Sequence, residues 1–201
     1  RKIRQQSVDI CAPLAIDDYQ VQPMDDASPP KWHLAHITWF FETFILQREL
    51  MGYKSHNSLF ETLFNSYYQG VGLAYPRQRR GNLSRPTLEE VFEYRRAVDT
   101  EMCEFLSRSI TDEVRFRVEL GLHHEQQHQE LLLTDLKYNL GTNPLKPAYL
   151  PVEKPLDKNK SLAISSLEWQ EIKGGLVEIG ARGDDFVFDN EKPRHRVFVP
   201  P

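Results

Sequence analysis

The chain has 201 residues, 40% hydrophobic and 27% charged, which suits a globular protein with one domain and room for part of a second. Its formal net charge of −4 supplies no basic footprint for nucleic acid or for an anionic membrane. No apolar run approaches the roughly 18 residues of a membrane span, and no leader-like segment opens the chain, so a cytoplasmic protein is expected. The chain begins at Arg1 without a methionine and ends at Pro201, and reads as a piece of a longer protein. Cys11 and Cys103 form no C-x-x-C pair and read as buried free thiols in a reducing compartment.

Residues 1–145 carry helical signals. "RKIRQQSVDICAPL" reads as the end of a first helix. "SPPKWHLAHITWFFETFILQREL" starts a second at Ser28 and two prolines, with Trp32, His36, Trp39, Phe40 and Thr43 recurring on one face. The stretch from Met51 to Pro86 is long for a plain bundle connection and holds a helix-like aromatic piece, "SLFETLFNSYYQ". An arginine-dense loop, "YPRQRRGNLSRP", comes after it. A third helix opens at the capping box Thr87-x-x-Glu90, with the stripe Val91, Tyr94 or Arg95, Val98, Met102 and Phe105. A fourth runs from Thr111, with acids in its first turn, to Gly141. A mainly α fold, a four-helix bundle, is the economical arrangement. Residues 146–165, rich in proline and lysine, read as a linker. Residues 166–201 alternate in β fashion around glycine turns but are too few to bury a core, and read as the start of a β-rich, irregular α+β second domain.

The fourth helix holds "LGLHHEQQHQELLLTDL". His124-Glu125-Gln126-Gln127-His128 matches the H-E-x-x-H of zinc proteases, and Glu125-x-x-His128 is half of a di-iron motif. The extended protease pattern fails, because Gln129-Glu130-Leu131 comes after His128, and the chain has no second Glu-x-x-His. His124 and His128 lie one turn apart on the stripe Val118, Gly121, His124, His128, Leu131, Asp135, which is expected to face the core. His123 lies about 100° away from it and reads as a surface residue or a support to the ligands. His36 points inward from the second helix, with His33 as the competing candidate. Two neighbouring helices can thus bring three imidazoles to one point and leave coordination positions open. Imidazoles alone suit zinc, iron, copper or nickel. At iron they leave the site more positive than the usual two-His-one-carboxylate set, and receptive to a thiolate. His56 and His195 carry no ligand spacing. Arg77, Arg79, Arg80 and Arg85 are either a solvated surface or, beside a metal, guanidinium forks for a substrate carboxylate. Gln127 borders the ligand face, to bond a molecule at the metal or to cap the core.

"SPPKWHLAHITWFFETFIL" together with "LGLHHEQQHQELLLTDLKYNLG" resembles the N-terminal DinB-like domain of the ergothioneine-biosynthesis sulfoxide synthases, the hercynine oxygenases. The tail "WQEIKGGLVEIGARGDDFVFDNEKPRHRVFVPP" is similar to the start of that family's second domain, which is like formylglycine-generating enzyme. The resemblance implies a non-haem Fe(II) enzyme that uses O2 to join a thiol, γ-glutamylcysteine or cysteine, to the imidazole of hercynine as a sulfoxide. It implies His36, His124 and His128 as the iron ligands, Gln127 beside the histidine-derived substrate, and Arg77 and Arg80 on the thiol substrate's carboxylates. The family's catalytic tyrosine would lie beyond residue 201, in the C-terminal domain that is this domain's partner, and residues 1–201 alone would then be inactive. DinB-like thiol transferases or hydrolases with the same three histidines, and a metal-free helical interaction module, are the alternatives.

Overall fold

The computed structural model describes residues 1–66, 70, 72–151, 167–183 and 185–201. It divides into two units, Arg1–Pro151 and Val152–Pro201. The expected linker therefore falls largely outside the described residues, as does the end of the aromatic piece at 67–69. The start of the expected linker belongs to the first unit: Tyr149 donates its hydroxyl to the carbonyl of Ile10, 2.6 Å away.

The first unit is helical. Helix α1 spans Lys2–Cys11. Helix α2, Pro30–Phe41, starts with proline in its first turn, where the missing amide is no loss. It continues through a π turn, Glu42–Leu46, into the short α3, Gln47–Glu49. Helix α4 is Phe60–Phe64, a fraction of the aromatic stretch that prompted it. The arginine loop contains a 3₁₀ segment, Arg77–Asn82. Helix α5, Leu88–Leu106, begins at the expected capping box: Glu90 N–H donates to Thr87 Oγ1 at 3.2 Å, and Thr87 N–H to Glu90 Oε2 at 2.6 Å. Helix α6, Asp112–Thr142, is capped by the Thr111 hydroxyl and runs one residue past Gly141.

Helix α2 is the centre of this unit. It packs against α5 and α6 and also meets α1 and α4, while α1 packs on α6. Every residue from Pro30 to Phe41 is buried, so the expected one-sided stripe is in fact a helix covered all round. Trp39, Leu34, Ile45, Phe64, Val91, Tyr94 and Leu132 form the heart of the core. The π turn carries Glu42, 1% exposed, whose carboxylate accepts from Tyr94 Oη at 2.5 Å, Tyr53 Oη at 3.1 Å and the His56 amide at 2.7 Å. One acidic side chain so ties the loop after α3 to α5.

On α6 the expected inward stripe needs correction. Leu131 is 44% exposed, and the buried positions are Val114, Gly121, Glu125, Gln129, Leu132, Leu136, Asn139 and Leu140. The core face is centred one position further along the chain, and His124 and His128 sit on its flank. What fills the face at mid-helix is the side chain of Glu125.

In the second unit, β1, Gly175–Ile179, pairs antiparallel with β2, His195–Val199, with Leu176 opposite Phe198 and Glu178 opposite Arg196. Arg194 reinforces the hairpin with bonds to the carboxylate of Glu178 and the carbonyl of Gly180. Leu176, Ile179, Phe198 and Trp169 are exposed. The β-type reading of this segment holds at the level of two strands.

Candidate metal centre

The contact between α2 and α6 brings the histidines together. Gly121, one turn before His124, makes the close approach possible: a Cβ there would lie 2.8 Å from Phe41 Cε1 and 2.9 Å from Phe40 Cε1. With the backbones this near, the His36 ring centroid lies 5.1 Å from that of His124 and 4.7 Å from that of His128, and the α6 pair are 4.6 Å apart. One ligand atom from each of the three falls within 4.8 Å of the others, the grouping of a possible metal site.

The rings are held. His36 stacks on Trp32 at 4.5 Å and 12°, and on Trp39 at 5.5 Å and 18°. Its Nδ1 lies 2.5 Å from the carbonyl of Phe64. A carbonyl can only accept, so that nitrogen carries the proton and Nε2 keeps its lone pair for a metal. His124 rests on Phe40, ring centroids 4.9 Å apart. Its Nδ1 is buried and has no hydrogen-bond partner, which an ion bound at that nitrogen would account for. His33 lies outside the ligand set, because its Nδ1 contacts His128 Nδ1 at 2.8 Å and its Nε2 contacts Asp135 Oδ2 at 3.0 Å.

Burial holds all four imidazoles neutral. It is the largest influence on each, pushing His33 down and His36 and His128 well down, with neighbouring imidazoles adding to the effect at the last two. At His124 burial lowers the pKa to about 4 against the pull of Glu125. Neutral rings offer lone pairs rather than charge, as metal ligation requires. Three neutral imidazoles converging from two helices, one with an unsatisfied nitrogen, fit a divalent transition metal such as zinc or iron.

Glu125 has a different task. Its carboxylate, 0% exposed, accepts from Arg4 Nη1 at 3.0 Å, Arg95 Nη2 at 2.5 Å and Ser7 Oγ at 2.6 Å. Burial pushes this carboxyl up, but Arg4, Arg95 and Ser7 together outweigh it and leave it below the usual carboxylate range. Asp99 holds Arg4 from the other side at 2.7 Å, and Gln129 donates to Ser7 at 2.9 Å. The network joins α1, α5 and α6 behind the histidines. A general base of the protease type would have to stand free on the metal side, and this carboxylate does not.

Among the expected substrate residues, Arg80 is 4% exposed. Its guanidinium carbon lies 3.3 Å from the centroid of the Trp32 ring, on the stack that holds His36. It donates to Ser28 Oγ at 2.9 Å and Ser66 Oγ at 3.1 Å. Arg77 is half-buried, and its carbonyl accepts from Gln22 Nε2 at 2.7 Å. Gln127 is exposed on α6 between His124 and His128. Sequence reading missed the tryptophan stack, the contact of His33 with Asp135, and the Arg4–Glu125–Arg95 network. Only the i, i+4 spacing of Trp32 with His36 and the helical stripe through Arg95 gave a signal for any of these.

No helix among the described residues is long and apolar enough to cross a membrane. None of the curated proteins compared matches this chain. The family model of the DinB superfamily matches residues 1–132, the stretch that contains His36, His124 and His128. The chain therefore belongs to the DinB superfamily, a family of metal-binding domains that are often metal-dependent enzymes, and its helical unit carries a cluster of three histidines that could hold a metal ion.

Proposed function

We propose that this chain is the N-terminal part of a cytoplasmic, non-haem Fe(II) oxygenase of the hercynine sulfoxide synthase type, with a four-helix DinB-like bundle leading into the opening of a domain like formylglycine-generating enzyme. The observation that carries the reading is the convergence of His36, His124 and His128 between α2 and α6, in a chain whose two histidine-bearing motifs resemble that family. Two free cysteines, Cys11 buried and Cys103 half-buried, suit a reducing compartment.

In this reading the three histidines hold Fe(II), which activates O2 and lowers the pKa of the thiol when bound. The chain's own groups do the rest. Phe64 and the Trp32–Trp39 stack keep His36 aimed at the centre. Gln127, exposed beside the ligands, reaches hercynine, and Arg77 and Arg80 supply positive charge toward the carboxylates of γ-glutamylcysteine or cysteine. Because Arg80 is anchored by two serines and Trp32, it acts through its fixed field.

The test is O2 uptake by the full-length protein loaded anaerobically with Fe(II), given hercynine and each thiol, with His128→Ala as control. Uptake that needs both substrates and disappears in the variant supports the proposal and names the thiol. A protein that binds metal tightly but takes up no O2 with either thiol is instead a DinB-like thiol transferase or hydrolase. A stably folded protein that takes up no metal, and whose stability is unchanged by His36→Ala, His124→Ala and His128→Ala, would be a metal-free helical interaction module.

A further inference from the structure

His33 touches the donor set without belonging to it, and both of its ring nitrogens are engaged. Asp135 Oδ2 lies 3.0 Å from His33 Nε2 and also accepts the amide of Ser28 at 2.9 Å. An ionised carboxylate has no hydrogen to give and accepts in both contacts, so His33 Nε2 carries the hydrogen. A neutral imidazole protonated at Nε2 has its lone pair on Nδ1. That lone pair faces His128 Nδ1 at 2.8 Å, which must then be the donor. The order of roles along the chain of contacts is set from the carboxylate end, and it leaves one atom of His128 free.

We infer that Asp135 and His33 form a positioning relay that holds His128 in its Nδ1–H tautomer and presents Nε2 as the ligand atom. The inference rests on the metal-centre reading for its purpose, though not for its geometry. The interposed ring has a physical reason. Asp135 lies seven residues beyond His128 on the same helix, a rise of about 10 Å, too far for direct contact. His33 comes from α2 and spans the gap, with its ring centroid 5.1 Å from that of His128. His36 is oriented by the Phe64 carbonyl in the same sense. The two ligands differ in what lies behind them: a neutral peptide group for His36, a carboxylate acting through an imidazole for His128. The carboxylate makes His128 the more basic ligand.

Nitrogen-15 NMR of the histidine rings in the metal-free protein reads the tautomers directly. The relay requires His128 protonated at Nδ1 and His33 at Nε2. The reverse pair, or a His33 protonated at both nitrogens, overturns it. Co(II) titration then measures the consequence. His33→Phe keeps the ring volume but removes the acceptor, and should weaken Co(II) binding by about 10- to 100-fold and shift its visible bands. His33→Asn places an amide oxygen near the Nδ1 position and should restore affinity to within a few-fold. Equal affinity and spectra for wild type and His33→Phe would overturn the positioning role. Wild-type protein that shows the expected tautomers but takes up no Co(II) would overturn the metal-centre reading and leave the tautomer assignment standing. Should His33→Phe fail to fold, the wild-type NMR and His33→Asn still decide.

Discussion

Adjacent on α6, His124 and Glu125 have opposite requirements: the first is half-buried and uncharged, the second buried and charged. Removing one partner from a buried ionic cluster strands the others, so Glu125→Ala should destabilise the protein by about 3–5 kcal/mol, measured by urea unfolding. Metal content per folded molecule should stay unchanged, whereas a catalytic base would show full stability and lost activity. The imidazoles set a pH dependence whose sign is given by their depressed values. Between pH 6.5, their ordinary value, and about 4, where His124 titrates when folded, the unfolded chain binds protons that the folded one does not. Stability of the metal-free protein is then complete above pH 6.5 and falls as the pH drops through that window. Unfolding midpoints measured across it should decline, and His124→Gln should flatten the decline.

The approach of α2 to α6 depends on a single missing methyl group. Gly121→Ala puts a carbon into the space held by Phe40 and Phe41, and overpacking of this sort costs about 1–3 kcal/mol. A lowered thermal midpoint together with weakened metal binding is expected; normal binding would mean that the helix spacing does not govern the centre. Helix starts were legible in the sequence because their causes are local: Thr87 with Glu90, Thr111, and Pro30 each act within one turn. The histidine trio was legible for the same reason, since i, i+4 spacing fixes a shared side. The face of α6 was not. Stepping from Val118 to Leu131 treats apolar residues as the marker of the interior. The interior of this helix is instead held by Glu125, whose partners Arg4 and Ser7 lie more than a hundred residues away. Charged residues are exposed by default, and only the assembled partners reverse that default. His33 was legible as a rival ligand and not as a support, because Asp135 reaches it from another helix.

At the scale of the molecule, the two units should differ in independence. Residues 1–151 contain the core and the three-histidine cluster, so a protein ending at Pro151 should keep its cooperative unfolding and whatever metal binding the full chain shows. Residues 167–201 alone should give no stable β signal by circular dichroism, since a two-stranded hairpin with Leu176 and Phe198 exposed is marginal by itself. A truncated 1–151 that aggregates or loses metal would show that the helical unit depends on the C-terminal residues for its stability. The complete enclosure of α2 carries a kinetic consequence. Amides along a segment covered on every side exchange with solvent only when the whole unit opens, placing those of the helix beyond Pro30 in the slowest class of hydrogen exchange. His36 therefore cannot let go of an ion by a local excursion of its own helix. Loss of metal to a chelator must begin on the α6 side, at the half-buried His124, and should run faster than amide exchange in α2.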